Sequence, residues 1–403
     1  MRHGNFGFTL FLGALAALPP LSIDMGLPGF PGLQAELGAS ASEATQTLSL
    51  FLLGFACGPI VLGPLSDRFG RRPVLLGGLL VFTLAGLGCA LAGSTGMLLF
   101  CRLVQGIGAG AGATMPFAIV RDLFEGVQAR TRISAVTLVL GVGPVIAPIL
   151  GAWVVALGSW RLIYALLGLA GLVLLLVTAF GFRESAPDGR HHGLSPRQML
   201  VSYRGVLGDR AFLVNSLLNA FGFGALFSYI SGSPEVMMGV YGTSSGLFSL
   251  FFGCCAATLT VGALLNGWLS ARHVSAHGIM LGANLLTAAA AVAAFLLALF
   301  GRLDLAGFVL LMAVSIFGFG MMSPNATHGA LQPMGRMAGV ASAALRSMQM
   351  VVGAIASALV GLLYDGHSAL ALTGVMAGFA LTVVLVQLLF LRPEQVAVAR
   401  QPS

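Results

Sequence analysis

Two ionisable side chains stand in stretches otherwise too apolar to welcome them: Asp24 in LPPLSIDMG and Arg102 in LLFCRLVQG. A charge held at membrane depth is expensive and usually marks an ion or substrate path. A carboxyl group exchanges its proton once its surroundings disfavour the charged form, whereas a guanidinium stays charged at any relevant pH. Asp24 is therefore the candidate proton carrier, and Arg102 the group that tunes it. Structural readings stay open beside these. Asp24 either carries protons, or caps a helix broken at Pro19 and Pro20, or faces the outer headgroups. Arg102 either acts on Asp24 or bonds to backbone carbonyls opened by nearby prolines and glycines.

Other chemistry finds little support. Ser323 and His328 lie five residues apart at a helix end and lack a third partner, so no hydrolase and no other enzyme is expected. Cys57, Cys89, Cys101, Cys254 and Cys255 all fall in apolar runs, without a CxxC pair or a Cys/His cluster. They read as small core residues. His191 and His192 read as part of a solvated linker, and neither a metal nor a cofactor is expected.

The elements that must position Asp24 and Arg102 are membrane-spanning helices. Hydrophobic residues make up 57% of the chain and charged ones 8%, with a mean hydropathy of +0.96. That leaves too little polar surface for a soluble globule. Apolar runs of about 20 residues, enough to cross roughly 30 Å of hydrocarbon, begin near residues 8, 44, 74, 97, 133, 161, 210, 244, 277, 305, 339 and 369. The 56 glycines and 17 prolines suit close helix packing in a bilayer. The start, MRHGNFGFTLFLG, reads as the first helix and not as a cleaved signal, because more spans follow.

The longest polar interruption runs from Phe182 to Arg210 and divides six spans from six. It assigns 1–182 to an N-terminal six-helix bundle and 183–209 to a cytoplasmic linker. Residues 210–403 then form a C-terminal six-helix bundle with a short cytoplasmic tail. All 20 basic residues are arginines. With the N-terminus inside, the outer loops hold only Arg161 and Arg302, and the inner segments collect nearly all the others, as cytoplasmic loops do. Both termini are thus expected in the cytoplasm. Arg346, about two turns into the eleventh helix, is expected to snorkel to that surface. The +7 charge is dispersed over short loops, so nucleic-acid binding is not expected. A channel would need a ring of repeated groups, but the acids here are single.

The turn GPLSDRFGRRP, from Gly63 to Pro73, packs one acid and three arginines between two apolar runs. It resembles the signature loop between the second and third spans of the major facilitator superfamily of transporters. RLVQGIGAGAG, from Arg102 to Gly112, resembles a second motif of that family. VGPVIAPILGAW, from Val142 to Trp153, is similar to its fifth-span antiporter motif, with Ala147 and Pro148 where the family has a glycine pair. GALLNGWLSARH, from Gly262 to His273, looks like a worn counterpart of the charged turn, with Asn266 in place of the acid. SIDMGLPGFP in the first span, SGSP at Ser231 to Pro234 and SPNA at Ser323 to Ala326 resemble the bicyclomycin and chloramphenicol resistance subfamily of drug/proton antiporters.

The resemblance implies an all-α membrane protein of twelve helices in two six-helix bundles. It would export small, moderately lipophilic drugs in exchange for protons across the bacterial inner membrane by alternating access. An exporter of a sugar, amino acid or other metabolite would share nearly every feature. In such folds the first and fourth helices line the cavity, so Asp24 and Arg102 would face each other or the same water. Asp67, Arg68, Arg71, Arg72 and Asp122 would form a gate. Asp67 would approach the N-terminal end of the eleventh helix, where the dipole favours an anion, and Arg71 or Arg72 would pair with Asp122. Gly143, Pro144, Pro148 and Gly151 would give a bent or closely packed fifth helix. Asn219, Phe223, Asn325 and Gln349 are the candidate substrate contacts. Apolar walls with one acid suit neutral or cationic molecules. The expected partners are the drug, protons and the bilayer, and the halves suffice for a monomer. One proton falling through 100 mV supplies about 2.3 kcal/mol, which sustains roughly a forty-fold drug gradient.

Overall fold

The computed structural model of the protein describes residues 6–185 and 196–391. His191 and His192 lie outside the described residues. Twelve helices are long and apolar enough to cross a membrane, from Gly7–Leu37 to Leu370–Phe390, and no strand occurs among the described residues. Eleven begin within three residues of the expected positions. The fifth does not: it starts at Gly126, and its first turns carry Arg130 and Arg132. No proline or glycine interrupts Val127 to Arg132, and arginine is a good helix former. The Arg132 guanidinium lies 4.1 Å from the centre of the Phe124 ring, so a stretch that hydropathy reads as loop is the first rung of the helix.

Helix starts follow local chemistry. Ser40 caps the second span in a capping box, its hydroxyl accepting from the Glu43 amide while Glu43 accepts from the Ser40 amide. Ser94, Asp209, Ser244 and Asp304 cap the fourth, seventh, eighth and tenth spans in the simpler way.

The chain divides into two units, Met1–Met199 and Leu200–Ser403. The boundary falls inside a short helix, Pro196–Gly208, so the segment read as a linker is helical over its second half. Val206 of that helix is fully buried with Phe212, Met334, Ala341 and Leu345. An apolar side of this helix thus joins the second unit's core.

Each unit repeats one packing device. In the first, a Cβ added to Gly54 would lie 2.1 Å from the Leu103 carbonyl oxygen, and one on Gly106 would lie 2.1 Å from that of Phe51. The second and fourth spans therefore meet backbone to backbone. In the second unit Gly262 and Gly320 stand in the same relation to Phe317 and Leu259, at 2.2 Å each, joining the eighth and tenth spans. Small residues permit such approach where no hydrophobic drive distinguishes side chain from lipid.

The first span corrects one expectation. Pro19 and Pro20 lie inside the helix Phe6–Asp24 without breaking it. The carbonyl of Leu15, deprived of its amide partner by Pro19, lies against Gly112 of the fourth span, a replacement contact of the kind that lets prolines persist in membrane helices. The regular helix ends five residues later, after Asp24. A 3-10 turn at Leu27–Gly29 and a helix at Phe30–Leu37 complete the span.

Candidate functional site

Asp24 occupies the last position of its helix and is only 2% exposed. Its Oδ1 has no hydrogen-bond partner. The irregular backbone beyond it is held from the fifth span, where Gly151 sits so close to the Met25 carbonyl that a Cβ would come within 2.1 Å, and within 3.0 Å of the Pro28 ring. Gly143 of the same span lies against Pro20. Pro148 is buried and Pro144 half-buried, and the fifth span runs as one helix through both. Gly151 of the antiporter-like motif thus supports the break that follows Asp24, and Gly143 the proline step before it.

Arg102 is 1% exposed and among the largest fully buried side chains. Its Nε donates to the Thr47 carbonyl at 3.2 Å, Nη1 to Gln105 Oε1 at 2.7 Å and Nη2 to the Ser22 carbonyl at 3.0 Å. The guanidinium also lies over Phe51 at 4.3 Å and near Tyr164 at 5.5 Å, a cation–π setting that strengthens as water is excluded. It therefore ties the first, second and fourth spans together. Arg102 reaches the first span two residues from Asp24 but takes a carbonyl there, and none of the ion pairs among the described residues joins the two groups. Of the two arrangements expected from sequence, facing each other or facing the same water, direct pairing of Asp24 and Arg102 is absent, and Arg102 bonds to backbone carbonyls and to Gln105. Neutral acceptors satisfy a guanidinium whose fork spans three directions at once.

At the charged turn Arg71 is the organising group. Its Nε meets Asp122 Oδ2 at 2.8 Å, and Nη1 meets both Asp67 Oδ1 and Ser66 Oγ at 2.6 Å. Arg71, and not Arg72, makes the Asp122 pair; Arg72 donates to the Ala179 carbonyl at 2.7 Å. Arg68 is exposed and lies over Phe69 at 5.3 Å. The Asp67 side chain keeps 54% exposure, whereas that of Asp122 is 1% exposed. Gly70, at φ 95°, makes the bend, and a Cβ there would strike the Glu184 carboxylate at 2.5 Å. That carboxylate accepts from the Arg71 and Arg72 amides at 2.8 and 3.1 Å, capping the third span where unpaired amides favour an anion.

Glu184 was missed in the sequence reading, which left it in the linker. Its signal is an acid placed just after a span, facing a Gly-Arg-Arg helix start. Gln105 was missed too, though its spacing of three from Arg102 puts both on one helix face. Between Glu36 and Arg161 a further clasp escaped notice: Nε meets Oε1 at 2.7 Å, and Trp160 donates to Oε2 at 2.7 Å.

The second unit builds its polar interior from amides. Asn219 is fully buried, its Nδ2 donating to Thr327 Oγ1 at 2.8 Å and to the Ser323 carbonyl at 3.2 Å. Gln349 Nε2 donates to Asn219 Oδ1 at 2.5 Å. Phe223, one turn from Asn219, packs on Phe227 and Phe319 at 5.1 and 6.3 Å. Asn325 stands apart and bonds to Asn266 at 2.7 Å. Of the four candidate contacts, two bond directly, a third adjoins them and the fourth belongs to another pair. Asn284 and Gln387 form a further buried amide bond, at 2.6 Å. Arg346 is exposed, eight residues after the start of Ala338–Leu363.

Residues 10–357 match the family model of the Major Facilitator Superfamily. A Bacillus subtilis protein named as an uncharacterized MFS-type transporter is 33% identical over 360 residues, 89% of either chain. A Haemophilus influenzae bicyclomycin resistance protein homolog is 30% identical over 89% of this chain and 90% of its own. For a Pseudomonas aeruginosa chloramphenicol resistance protein the figures are 32%, 90% and 85%. Among solved structures, a bacterial homolog of the human lysosomal transporter Spinster superposes with a TM-score of 0.76 at 17% identity, covering 100% of this chain and 99% of that one. A D-xylose-proton symporter superposes at 0.72 and 16%, covering 96% and 99%; at such identity these two speak for the fold alone. Twelve spans, the repeated glycine crossings, the charged turn and a family match over most of the length lead to one assignment: the chain belongs to the major facilitator superfamily, a family of membrane transporters and not of enzymes.

Proposed function

We propose that the protein exports small, moderately lipophilic drugs in exchange for protons across the bacterial inner membrane, with both termini in the cytoplasm and the monomer as the working unit. The observation that carries this reading is Asp24: a carboxyl group 2% exposed, with one oxygen lacking any donor, at the one break in the first span. An isolated carboxylate away from water is costly, and a neutral carboxylic acid much less so. Water reaching the break from the outside would deliver a proton to Asp24. Opening to the inside would let the proton leave and restore a negative charge beside the Arg102 frame. The Haemophilus and Pseudomonas relatives are named for resistance to bicyclomycin and chloramphenicol, which favours drug efflux over the export of a metabolite.

Asp67, Arg71 and Asp122 would serve as the latch of the cycle. Asp67 shares Arg71 with Asp122, so a competing partner for the exposed Asp67 carboxylate leaves Arg71 still anchored. The amide cluster of Asn219 and Gln349, with Phe223 beside it, would supply the substrate's contacts.

The test is drug-driven proton movement in vesicles containing the purified chain. Wild-type protein should move protons when a drug gradient is imposed, and Asp24→Asn should fall to the level of empty vesicles while inserting normally. Full proton movement by that variant removes Asp24 as the carrier.

A further inference from the structure

Arg346 presents a charge that its own unit leaves unanswered. Among the described residues it forms no hydrogen bond, ion pair or ring contact. The second unit's described acids lie elsewhere, with Asp209 and Asp304 as helix caps, Asp365 in a turn, and Glu235 at the far end of the seventh span.

The eleventh span, Ala338–Leu363, carries one exposed stripe, Val351, Ile355, Leu359 and Leu362, all aliphatic, and buries Gln349, Gly353 and Ser357 on the side opposite. At 100° per residue this stripe lies about 140° to 220° around the axis from Arg346. It is the side suited to hydrocarbon. Arg346 is exposed on the opposite side, in line with Ser342, Gln349, Gly353 and Ser357, which are small or polar. Its Cα stands about 12 Å along the axis from Ala338. An exposed arginine on this side is turned away from the stripe suited to lipid.

One turn further on, at a spacing that shares the same face, Gln349 is 5% exposed and already donates to Asn219. Its Oε1 has no partner. An exposed permanent donor and, about 4.5 Å further along the same helix face, a buried acceptor without a partner thus stand together, the second open to a ligand only as the span moves.

We propose that Arg346 and Gln349 form a substrate-orienting pair that selects amphiphilic compounds carrying an oxygen acceptor, a carboxylate first, next to a hydrogen-bond donor. Arg346 binds the acceptor through its planar fork and Gln349 Oε1 takes the donor. The same positive charge disfavours cations, so discrimination has a repulsive part as well as an attractive one. This selectivity differs from the preference for neutral or cationic drugs that a lone acid implies. It rests on the exporter reading for its physiological meaning but not for its measurement.

Equilibrium binding to the detergent-purified full chain tests the pair without any proton gradient. The probes are N-benzoylphenylalaninate, whose carboxylate lies next to an amide N–H, its uncharged methyl ester and the cation ethidium. Wild-type protein should prefer N-benzoylphenylalaninate to its ester by about tenfold, and Arg346→Gln should abolish that preference while leaving ethidium binding equal or tighter. Arg346→Lys should restore part of it. Equal affinity of the wild type for acid and ester overturns the proposal, and this arm needs no variant to fold. So does an Arg346→Gln variant that keeps the preference or weakens all three probes alike. Absence of drug-driven proton movement in wild-type vesicles would remove the exporter reading and leave this ratio untouched.

Discussion

The two units share helix number and glycine crossings, yet their interiors are built from different chemistry. The first holds Asp24, Arg102 and the Arg71–Asp122 pair. The second replaces charge by amide, with Asn219 and Gln349, Asn266 and Asn325, and Asn284 and Gln387 each bonded side chain to side chain. Amides hold helices together at any pH, because nothing in them titrates. Carboxyl groups add a state that depends on protons. On the proposed mechanism, proton sensing falls to the first unit and proton-independent contacts to the second, whose one buried acid among the described residues is Glu235.

That contrast is open to attack at several points. Arg102→Met should do most damage, because it leaves the Ser22 and Thr47 carbonyls and Gln105 Oε1 without their donor. The Thr47 carbonyl keeps the Phe51 amide of its own helix. The other two orphaned groups cost about 1–3 kcal/mol each and the lost cation–π contacts about 1–2 more, so the purified variant should lose at least about 3 kcal/mol against thermal or denaturant challenge. A near-neutral result would mean that the charge is not integral to the first unit. Next comes Arg71→Met, which strands the buried Asp122 carboxylate; loss of one partner from a buried pair costs about 3–5 kcal/mol, here reduced by the exposure at Asp67. Asp122→Asn with Arg71→Met should recover much of the loss, and a strictly additive pair would contradict the coupling.

In the second unit Asn284→Leu should cost about 1 kcal/mol, and adding Gln387→Leu should bring stability back toward wild type, because the amide bond disappears with both polar groups. A loss as large as that at Arg102 would erase the contrast between the units. The smallest effect belongs to the turn before the last span. There Asp365 accepts from the Ser368 hydroxyl at 2.6 Å and from the His367 and Ser368 amides at 2.9 Å. The Ser368 hydroxyl bond above all holds its carboxyl below the usual carboxylate range. Its stabilisation is therefore present above about pH 4 and lost as pH falls through the lowered folded value. The melting difference between wild type and Asp365→Asn should be slight at neutral pH and shrink further in acid; growth of the difference in acid would reverse the sign of this assignment.

Hydropathy made the spans legible because length and apolar content decide whether a helix crosses a bilayer. It failed at Gly126, where arginines begin a helix that their polarity disguises. Asp24 and Arg102 stood out in sequence because charges are rare in such runs. The partners of Arg102 did not, since two are main-chain carbonyls, which every residue has, and only packing selects Ser22 and Thr47. The same holds for the end of the regular helix after Asp24: prolines advertise a break at 19 and 20, but the contact of Leu15 with Gly112 carries the helix past them. Glu184 required knowing that the end of the sixth span returns beside the start of the third.

The reciprocal glycine crossings bear on how such a protein changes shape. Where Gly54 faces Leu103 and Gly106 faces Phe51, no side chain lies between the main chains to switch rotamer and absorb a shear. Gly262 and Gly320 impose the same rule on their own pair of spans. Displacing one member of either couple drags its mate with it, so local flexing is left to places such as the irregular segment beyond Asp24, which on the proposed mechanism would turn a proton's arrival into motion.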